Sequence, residues 1–296
     1  MNQKRIIKLI NWAKNYLAKK GFIDSREVAE SIAEYILGKR KIDLYLEPDL
    51  SIEKEKEELF KRYVRCYARG VPLAYIIGEQ YFLGEKFLIR PGVFIPRPET
   101  ELLVEKAVEF LNKRENHPHP LKVVDLGTGS GNIAVSIAKR IENVIIYATD
   151  ISSLALKVAK ENASLHRVEK KIVFVMGDLF SPLENYHLEG KIDLIVSNPP
   201  YVEKGAFKSL PSQVKKEPRF ALEAGEDGLF FHRKIILSSP RWLSPGGALI
   251  LEVGYNQAEK VEKIACEIED YRKSLKIFKD LSGIPRIIKM KKILQN

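Results

Sequence analysis

The apolar positions in the first part of the chain recur at the spacing of amphipathic helices. One series repeats every three or four residues: Ile6, Leu9, Ile10, Ala13 and Leu17. A second series, over residues 28–37, follows Asp24-Ser-Arg-Glu27, whose residue types at this spacing are those of a capping box. A third helix is predicted over residues 51–69. These patterns predict a small all-helical bundle over residues 1–72.

The helical pattern ends before residues 73–98. Tyr81-Phe82-Leu83-Gly84 and Phe87-Leu88-Ile89 are short aromatic and apolar runs around a glycine, which is the pattern of a β-hairpin. Several prolines between residues 91 and 98 then restrict φ and remove backbone donors. We therefore predict that residues 73–98 form a hairpin and a stiff, proline-rich linker between two domains.

From residue 99 onward the pattern alternates between helix and strand. A helix is predicted over 99–112. Apolar runs typical of buried strands then occupy 122–126, 144–148, 171–176, 192–196 and 248–253. Helical patterns separate them at 132–140, 152–166, 227–241 and 257–269, and two short strands follow. Strands connected by helices of this length indicate βαβ units, so residues 99–296 are predicted to form an α/β domain with a mostly parallel sheet.

Composition narrows the class of protein without identifying it. The 296 residues are 45% hydrophobic and 30% charged, with a net charge of +10, which is ordinary for a soluble globular protein. No long uncharged apolar run and no signal-peptide pattern is present, so we expect a cytoplasmic protein with no membrane partner. Cys66 and Cys266 lack metal-ligand spacing, and no metal is expected. The basic charge suits an acidic protein or a nucleic acid and decides neither.

A glycine-rich turn is the first candidate for a ligand site. It follows the first strand of the α/β region and opens a helix: Gly127, Thr128, Gly129, Ser130 and Gly131. Glycines in such a turn let the backbone approach a ligand closely because no Cβ intervenes. Asp150 ends the second strand, where a carboxylate accepts hydrogen bonds from ribose hydroxyls. Asp178 follows the third strand and is expected to face an adenine edge.

The turn by itself does not distinguish a dinucleotide from S-adenosylmethionine. Asp125 stands immediately before the glycines. A carboxylate there would help to hold a cationic methionine group and would repel a pyrophosphate. The acid therefore favours the sulfonium cofactor.

The tetrapeptide Asn198-Pro199-Pro200-Tyr201 follows the fourth strand. Its prolines fix two φ angles and remove two backbone donors, which leaves carbonyl groups free to accept. Asn198 adds a side-chain acceptor, and the ring of Tyr201 closes the cluster. Such a rigid pair of acceptors suits a planar –NH2 group that is held for methylation. If the chain winds outward and then returns, the first and fourth strands become neighbours and both turns meet in one crevice.

Ten sequence blocks between residues 72 and 290 carry a family resemblance. They are Pro72–Gly78, Phe94–Glu101, Asp125–Gly131, Gly177–Phe180, Ile192–Tyr201, Glu217–Leu222, Asp227–Leu229, Leu243–Gly247, Leu251–Gly254 and Asp280–Gly283. Taken together, these blocks resemble the protein-(glutamine-N5) methyltransferases that modify peptide chain release factors, the HemK family. Residues 1–71 are similar to the family's helical domain in length and character.

The resemblance implies a Rossmann-like class I methyltransferase sheet of seven, mostly parallel strands. It also implies that the small N-terminal helical domain binds release factors. The implied methyl donor is S-adenosyl-L-methionine, with S-adenosyl-L-homocysteine as product. The implied substrate is the glutamine of a Gly-Gly-Gln loop in a release factor. By the same resemblance, Gly127 to Gly131 cradle the donor, Asp150 holds its ribose, and Leu179 lies along its adenine.

The resemblance also assigns the substrate side of the site. Asn198, Pro199, Pro200 and Tyr201 would bind the glutamine amide, with Asn198, Pro199 and Tyr201 as the catalytic residues. Asn198 would also reach the donor. We expect the ring of Tyr201 to pack on the amide plane and to exclude water.

Other functions fit part of the same pattern. Adenine-N6 methyltransferases of DNA or RNA use the same tetrapeptide on flipped bases. The N-terminal region is nearly balanced in charge and no separate basic recognition domain is visible, so nucleic acid is not the expected substrate. A glutamine methyltransferase that acts on a ribosomal protein is a closer alternative. A non-catalytic binding module would leave both intact motifs unexplained, and an NAD-dependent oxidoreductase would leave the tetrapeptide unexplained.

Overall fold

The computed structural model describes residues 6–47, 50–114 and 119–293. The chain divides into two compact units. One unit comprises the chain up to Gly78 together with Pro211–Lys216, and the other comprises Glu79–Leu210 and Glu217–Asn296. No helix in the described ranges combines the length and apolar character needed to cross a bilayer.

The first unit is helical. Its helices are α1 (Ile6–Ala18), α2 (Ser25–Leu37), α3 (Lys41–Leu46), α4 (Lys54–Tyr67) and α5 (Leu73–Ile77). The apolar positions that predicted α1 and α2 are buried against Phe60 and Val64 of α4. The three predicted helices are confirmed, although α4 is shorter than residues 51–69. The helices α3 and α5 were not predicted, because six and five residues are too few to show a helical repeat.

The capping box predicted at the start of α2 is wrong. Asp24 precedes the helix with φ −82° and ψ 16°, and its side chain makes no capping hydrogen bond. Its carboxylate instead accepts a hydrogen bond from the hydroxyl of Tyr67 at 2.5 Å. Tyr67 is buried, so its hydroxyl requires a partner inside the unit. The Asp24 carboxylate therefore bonds to a residue distant in the sequence and does not cap its own helix.

The second unit begins with the predicted hairpin. β1 (Glu79–Phe82) and β2 (Glu85–Leu88) pair antiparallel, and the rings of Phe82 and Phe87 are buried with centroids 6.0 Å apart. The side chain of Asn162 accepts from the Leu88 N–H at 2.7 Å and donates to the Leu88 carbonyl at 3.0 Å. It also donates to the carbonyl of Ser130 at 2.8 Å. One buried amide thus fixes the hairpin to the glycine-rich turn.

Strands and helices alternate after α6 (Glu99–Asn112). The strands are β3 (Leu121–Leu126), β4 (Val144–Asp150), β5 (Ile172–Met176), β6 (Ile192–Ser197), β7 (Leu243–Glu252), β8 (Lys276–Lys279) and β9 (Pro285–Lys291). The helices are α7 (Asn132–Arg140), α8 (Ser153–Leu165), α9 (Phe230–Trp242), α10 (Ala258–Ala265) and α11 (Glu269–Ser274). The strands form one seven-stranded sheet in the order β5-β4-β3-β6-β7-β9-β8. β9 pairs antiparallel with both β7 and β8, whereas the other four strand pairs are parallel, so the predicted mostly parallel sheet is confirmed.

Helices cover both faces of this sheet. α6, α7 and α8 pack on one face and α9 and α10 on the other. Successive strand residues serve opposite cores: Val123 packs on the first face and Val124 on the second. Strands buried on both faces are nearly continuous apolar runs, which is why the sequence pattern located them.

The strand order reverses between β3 and β6. The chain winds outward from β3 to β4 and β5 and then returns to place β6 beside β3. Asp125 is paired with Val196, and the hydroxyl of Ser197 donates to the Leu126 carbonyl at 2.7 Å. Ligands of open α/β sheets bind at such a reversal, beyond the carboxyl ends of the strands. The predicted adjacency of the first and fourth strands of the α/β region is confirmed.

Candidate active site

A partly open cavity of about 930 Å³ lies at the carboxyl ends of β3 to β6. Most of the predicted site residues line it: Gly127, Thr128, Gly129, Ser130, Asp150, Asp178, Leu179, Asn198, Pro199 and Pro200. Gly131 and Tyr201 are the predicted residues that do not. The two motifs identified in the sequence therefore share one crevice.

The glycine-rich turn presents bare backbone to this cavity. Gly127 and Gly129 have φ values of 71° and 56°, and a Cβ built on either would meet nothing within 4 Å. The N–H groups of Gly127 and Thr128 both donate to the carbonyl of Thr149 at 2.9 Å, which fastens the turn to the end of β4. A ligand can therefore approach the backbone at these two positions without a side chain between them.

Gly131 has a packing role instead of a contact with the cavity. It precedes α7 with φ 81°, and a Cβ built on it would lie 2.9 Å from the Cβ of Ala159 in α8. A separation below 3.0 Å requires one of the two helices to move. That Gly131 also cradles a ligand stays a prediction; in the structure its missing side chain lets α7 and α8 approach each other.

We expect Gly131→Ala to lower the free energy of unfolding by about 1–3 kcal/mol more than Gly84→Ala. Both glycines have positive φ, at 81° and 74°, so both variants carry the strain of a left-handed residue. Only at Gly131 does the new methyl group collide with a neighbour, because nothing lies within 4 Å of a Cβ at Gly84. Urea unfolding of the two variants measures the difference, and equal losses would contradict the packing role.

Asp150 supports the turn and faces the cavity. One carboxylate oxygen accepts from the Gly129 N–H at 2.9 Å and the other from the Ser152 N–H at 2.8 Å. Burial raises the pKa of Asp150, and the backbone hydrogen bonds from Ser152 and Gly129 oppose that shift. A carboxylate has about four acceptor positions, so about two remain for ligand hydroxyl groups.

Asp178 and Leu179 lie at the edge of the cavity formed after β5. Asp178 is exposed, and its carboxylate is 3.5 Å from the Nζ of Lys234. Leu179 has a φ of 47°, which is uncommon for a residue with a side chain, and its carbonyl accepts from the Thr149 hydroxyl at 3.2 Å. The bond to Thr149 holds the Leu179 backbone in this conformation, in which Leu179 is part of the cavity wall.

The prediction that Asp125 helps to hold a cationic ligand is wrong as a direct contact. Asp125 is fully buried, lies outside the cavity lining, and accepts a hydrogen bond from the Thr128 hydroxyl at 2.6 Å. Burial raises its pKa to about 7, although the bonds from Thr128 and from the Ala134 backbone act in the opposite direction. The carboxyl group therefore stabilises the turn from behind.

Replacement of Asp125 by Asn should reduce the pH dependence of stability. The folded state keeps a proton on Asp125 up to about pH 7, whereas the unfolded chain releases it near pH 4. The free energy of unfolding of the wild type therefore falls as pH rises through this window, by up to roughly 4 kcal/mol from this group. Asp125→Asn removes that contribution, so its stability relative to wild type should increase from pH 5 to pH 8. Parallel profiles from denaturant unfolding would refute this.

Asn198 is held by two side chains that sequence reasoning did not identify. Its Nδ2 donates to the hydroxyl of Thr100 at 3.0 Å. That hydroxyl donates in turn to a carboxylate oxygen of Glu252 at 2.7 Å. Thr100 comes from the first turn of α6 and Glu252 from the last position of β7, and both are almost fully buried. The amide of Asn198 is thus tied to two elements far away in the sequence.

The carbonyl and the ring of Tyr201 contact the chain that follows β7. Its carbonyl accepts from the Nε2 of Gln257 at 2.9 Å, and its ring packs so closely on Gly254 that a Cβ there would lie 2.9 Å from Tyr201 Cδ2. Burial raises the pKa of the phenol above its usual range. The ring therefore anchors the end of the tetrapeptide to the chain after β7, and its packing on a substrate amide stays a prediction.

Two further segments contribute to the cavity wall, and the sequence patterns gave neither of them a role in the site. Phe94 and Pro96 lie on one segment and Pro218 and Phe220 on the other. Glu217, which is buried, joins them: it pairs with Arg97 and accepts from the Ile95 N–H at 3.1 Å. Both segments stand among the resemblance blocks, which was the only sequence signal for them.

Comparison with known families agrees with this geometry. The family model described as "Methyltransferase small domain" matches residues 86–274, and "PrmC N-terminal domain" matches residues 8–78. A methyltransferase from Pyrococcus furiosus has the same fold, at 17% identity and a TM-score of 0.51 over 72% of this chain and 91% of that one. The fold, the cavity and the domain match together define a class I methyltransferase.

Curated relatives specify the family further. The release factor glutamine methyltransferase of Geobacter sulfurreducens is 37% identical over 86% of this chain and 86% of its own length. The protein of the same name from Rhodopirellula baltica is 35% identical over 97% of this chain and 96% of its own length. The chain belongs to the family of release factor glutamine methyltransferases, and the resemblance seen in the sequence blocks is confirmed.

Proposed function

We propose that this protein transfers a methyl group from S-adenosyl-L-methionine to the side-chain amide nitrogen of the glutamine in the Gly-Gly-Gln motif of peptide chain release factors, in the cytoplasm. The observation that carries the proposal is the position of Asn198 and Pro199. Both line the cavity that the glycine-rich turn borders, so an amide acceptor site and a nucleotide-type site are one space. The names of the curated relatives supply the substrate class.

The residues around the cavity fit the proposed methyl donor. Gly127 and Gly129 leave room for close backbone approach, and Asp150 retains acceptor positions for ribose hydroxyls. Leu179 and Ile151 add apolar surface where an adenine ring would lie. S-adenosylmethionine, when bound, supplies an electrophilic methyl group on a sulfonium. We assign Gly127, Thr128, Gly129, Ser130, Asp150, Asp178 and Leu179 to holding it, with Asn198 at the boundary.

The chain's own contribution to the chemistry is to hold an unreactive nitrogen. The lone pair of an amide nitrogen is delocalised into its carbonyl group, and this conjugation gives the peptide bond a rotation barrier of about 18–20 kcal/mol. Asn198 Oδ1 and the Pro199 carbonyl each accept one N–H of the substrate amide, which fixes the orientation of that lone pair. The same acceptors stabilise positive charge that develops on the nitrogen. Pro199 and Pro200 lack N–H groups and offer no competing donor.

The competing proposal, methylation of adenine-N6 in nucleic acid, uses the same acceptors. The curated relatives favour the glutamine substrate, because each of those described above is named for it over most of this chain. A flipped base would need a site that also recognises the nucleic acid backbone. A direct comparison of the two substrates separates the proposals.

We expect Asn198→Ala to lower turnover by about 10²-fold, by analogy with removal of one oxyanion-hole donor. Its affinity for S-adenosylmethionine should change much less, because the variant loses a contact to the substrate amide. Transfer of tritiated methyl groups to purified release factor measures turnover, with DNA as the competing substrate. Asn143→Ala, an exposed asparagine, is the matched control. Turnover of Asn198→Ala within threefold of wild type, or labelling of DNA in preference to release factor, would overturn the proposal.

The helical unit is the proposed docking site for the body of the release factor. Ile23 and Tyr45 border a shallow depression on this unit, and Leu46 on α3 adds further exposed apolar surface. The side chain of Ile23 is fully exposed. Large apolar side chains that cluster on a surface mark protein contacts more often than solvated surface does.

Ile23→Ser should therefore raise KM for the intact release factor by about tenfold, since burial of an isoleucine contributes roughly 1.5–3 kcal/mol. Turnover of a short Gly-Gly-Gln peptide should not change, because the peptide contains nothing to contact the helical unit. Leu165→Ser alters an exposed apolar residue of the other unit and serves as the control. Steady-state kinetics with both substrates measures the effect, and an equal change with factor and peptide would exclude docking on Ile23.

A further inference from the structure

Asn198 is useful to the proposed reaction only if its oxygen, and not its nitrogen, faces the cavity. We propose that Thr100 and Glu252 are positioning residues that hold the Asn198 carboxamide in this orientation through a directed chain of two hydrogen bonds. This inference rests on the proposed function and extends it to residues that do not touch the substrate amide.

The geometry of the chain is short and enclosed. Asn198 Nδ2 is 3.0 Å from the Thr100 hydroxyl, and that hydroxyl is 2.7 Å from Glu252 Oε2. Thr100 and Glu252 are each 1% exposed, so almost none of either side chain is open to bulk solvent. Thr100 also lines the cavity, next to Asn198. Three elements, α6, β6 and β7, thus meet at one hydroxyl group.

While Glu252 is ionised, the hydrogen bonds from Asn198 through Thr100 to Glu252 can run in only one direction. A carboxylate accepts hydrogen bonds and donates none, so the single proton of the Thr100 hydroxyl points to Glu252. The hydroxyl then has only lone pairs left for Asn198, and the group that meets it must be the Nδ2 donor. The opposite placement would bring two oxygens together with no proton between them. Oδ1 is therefore directed away from Thr100, to the side on which Asn198 lines the cavity.

Protonation of Glu252 removes this constraint. A neutral carboxyl has a proton to donate to the Thr100 hydroxyl, and the hydroxyl proton can then be donated to Asn198 Oδ1. The carboxamide turns over, and two N–H donors face a substrate amide that also offers N–H donors. The outline of the side chains is unchanged, but Oδ1 and Nδ2 of Asn198 have exchanged places, so the acceptor is lost to the cavity.

The surroundings of Glu252 place this change near neutral pH. The charged and titratable groups around it are Glu99, Arg97, Arg286, Tyr201 and the ring of His232, whose Nε2 donates to the Glu252 carbonyl at 2.9 Å. Burial raises the pKa of Glu252 to about 7; Glu99 adds to the rise, whereas the Thr100 bond and the two arginines oppose it. The Asn198 acceptor is therefore present above this pKa and is lost as pH falls through it.

Substitutions at Thr100 separate positioning from packing. Thr100→Val keeps the shape and removes the hydroxyl, so kcat should fall by about tenfold or more while KM for the release factor changes by less than about threefold. Thr100→Ser restores the hydroxyl and should recover kcat to within about threefold of wild type. Glu109→Gln, an exposed change on the same helix, is the control. A fall of less than threefold for Thr100→Val, or an equal fall for Thr100→Ser, would overturn the proposal.

Glu252→Gln tests the directed chain through pH. The wild-type profile of kcat/KM should rise with pH through the ionisation of Glu252, and this limb should vanish in Glu252→Gln because an amide does not titrate. The same limb in both proteins would overturn the proposal. An independent readout is the side-chain amide signal of Asn198 in the free protein, assigned through its loss in Asn198→Asp. The protons of this amide should exchange with solvent at least tenfold faster in Thr100→Val than in wild type. Unchanged exchange would overturn the proposal. This result does not depend on whether the wild type methylates release factors.

Discussion

The parallel pairing of β3 with β6 is the constraint on which the candidate site depends. It places the glycine-rich turn after β3 beside the Asn-Pro-Pro-Tyr turn after β6, although about 70 residues separate them in the chain. Ser197 locks the two strand ends together through the Leu126 carbonyl. Every other part of the site, including the buried amide of Asn162 and the wall held by Glu217, is arranged around this junction. A change of strand order would leave both motifs intact and would separate them.

Buried polar groups hold the site in place, although their burial costs free energy of folding. Asp125 and Glu252 are carboxyl groups without exposure, and burial raises the pKa of each to about 7. Each is bonded to a threonine hydroxyl that lines the cavity, Thr128 and Thr100. We infer that the two acids orient the proposed donor side and the proposed substrate side of the same cavity from behind. Apolar residues of equal volume would stabilise the fold without this directionality.

Sequence periodicity identified most of the elements because their cause is local. Strands buried on both faces appear as continuous apolar runs, and α6 and α7 were predicted with the same bounds that the structure shows. The capping prediction failed because a distant partner replaced a local one, and the packing role of Gly131 was not foreseen. Asp24 bonds to Tyr67 instead of capping its own helix, and Gly131 serves the contact with Ala159. In both cases the sequence pattern singled out the residue, but the spacing of residues along the chain could not identify its distant partner.

The sequence by itself determined the fold class, the two turns that border the cavity and the family, because each follows from residues that are adjacent in the chain. Only the tertiary structure decided whether the oxygen or the nitrogen of the Asn198 carboxamide is directed to the cavity. That choice depends on a threonine 98 residues earlier and a glutamate on β7, which meet only when α6 packs on the sheet. A hydrogen bond specifies donor and acceptor within about 3 Å, and no linear pattern encodes which distant side chains reach that distance.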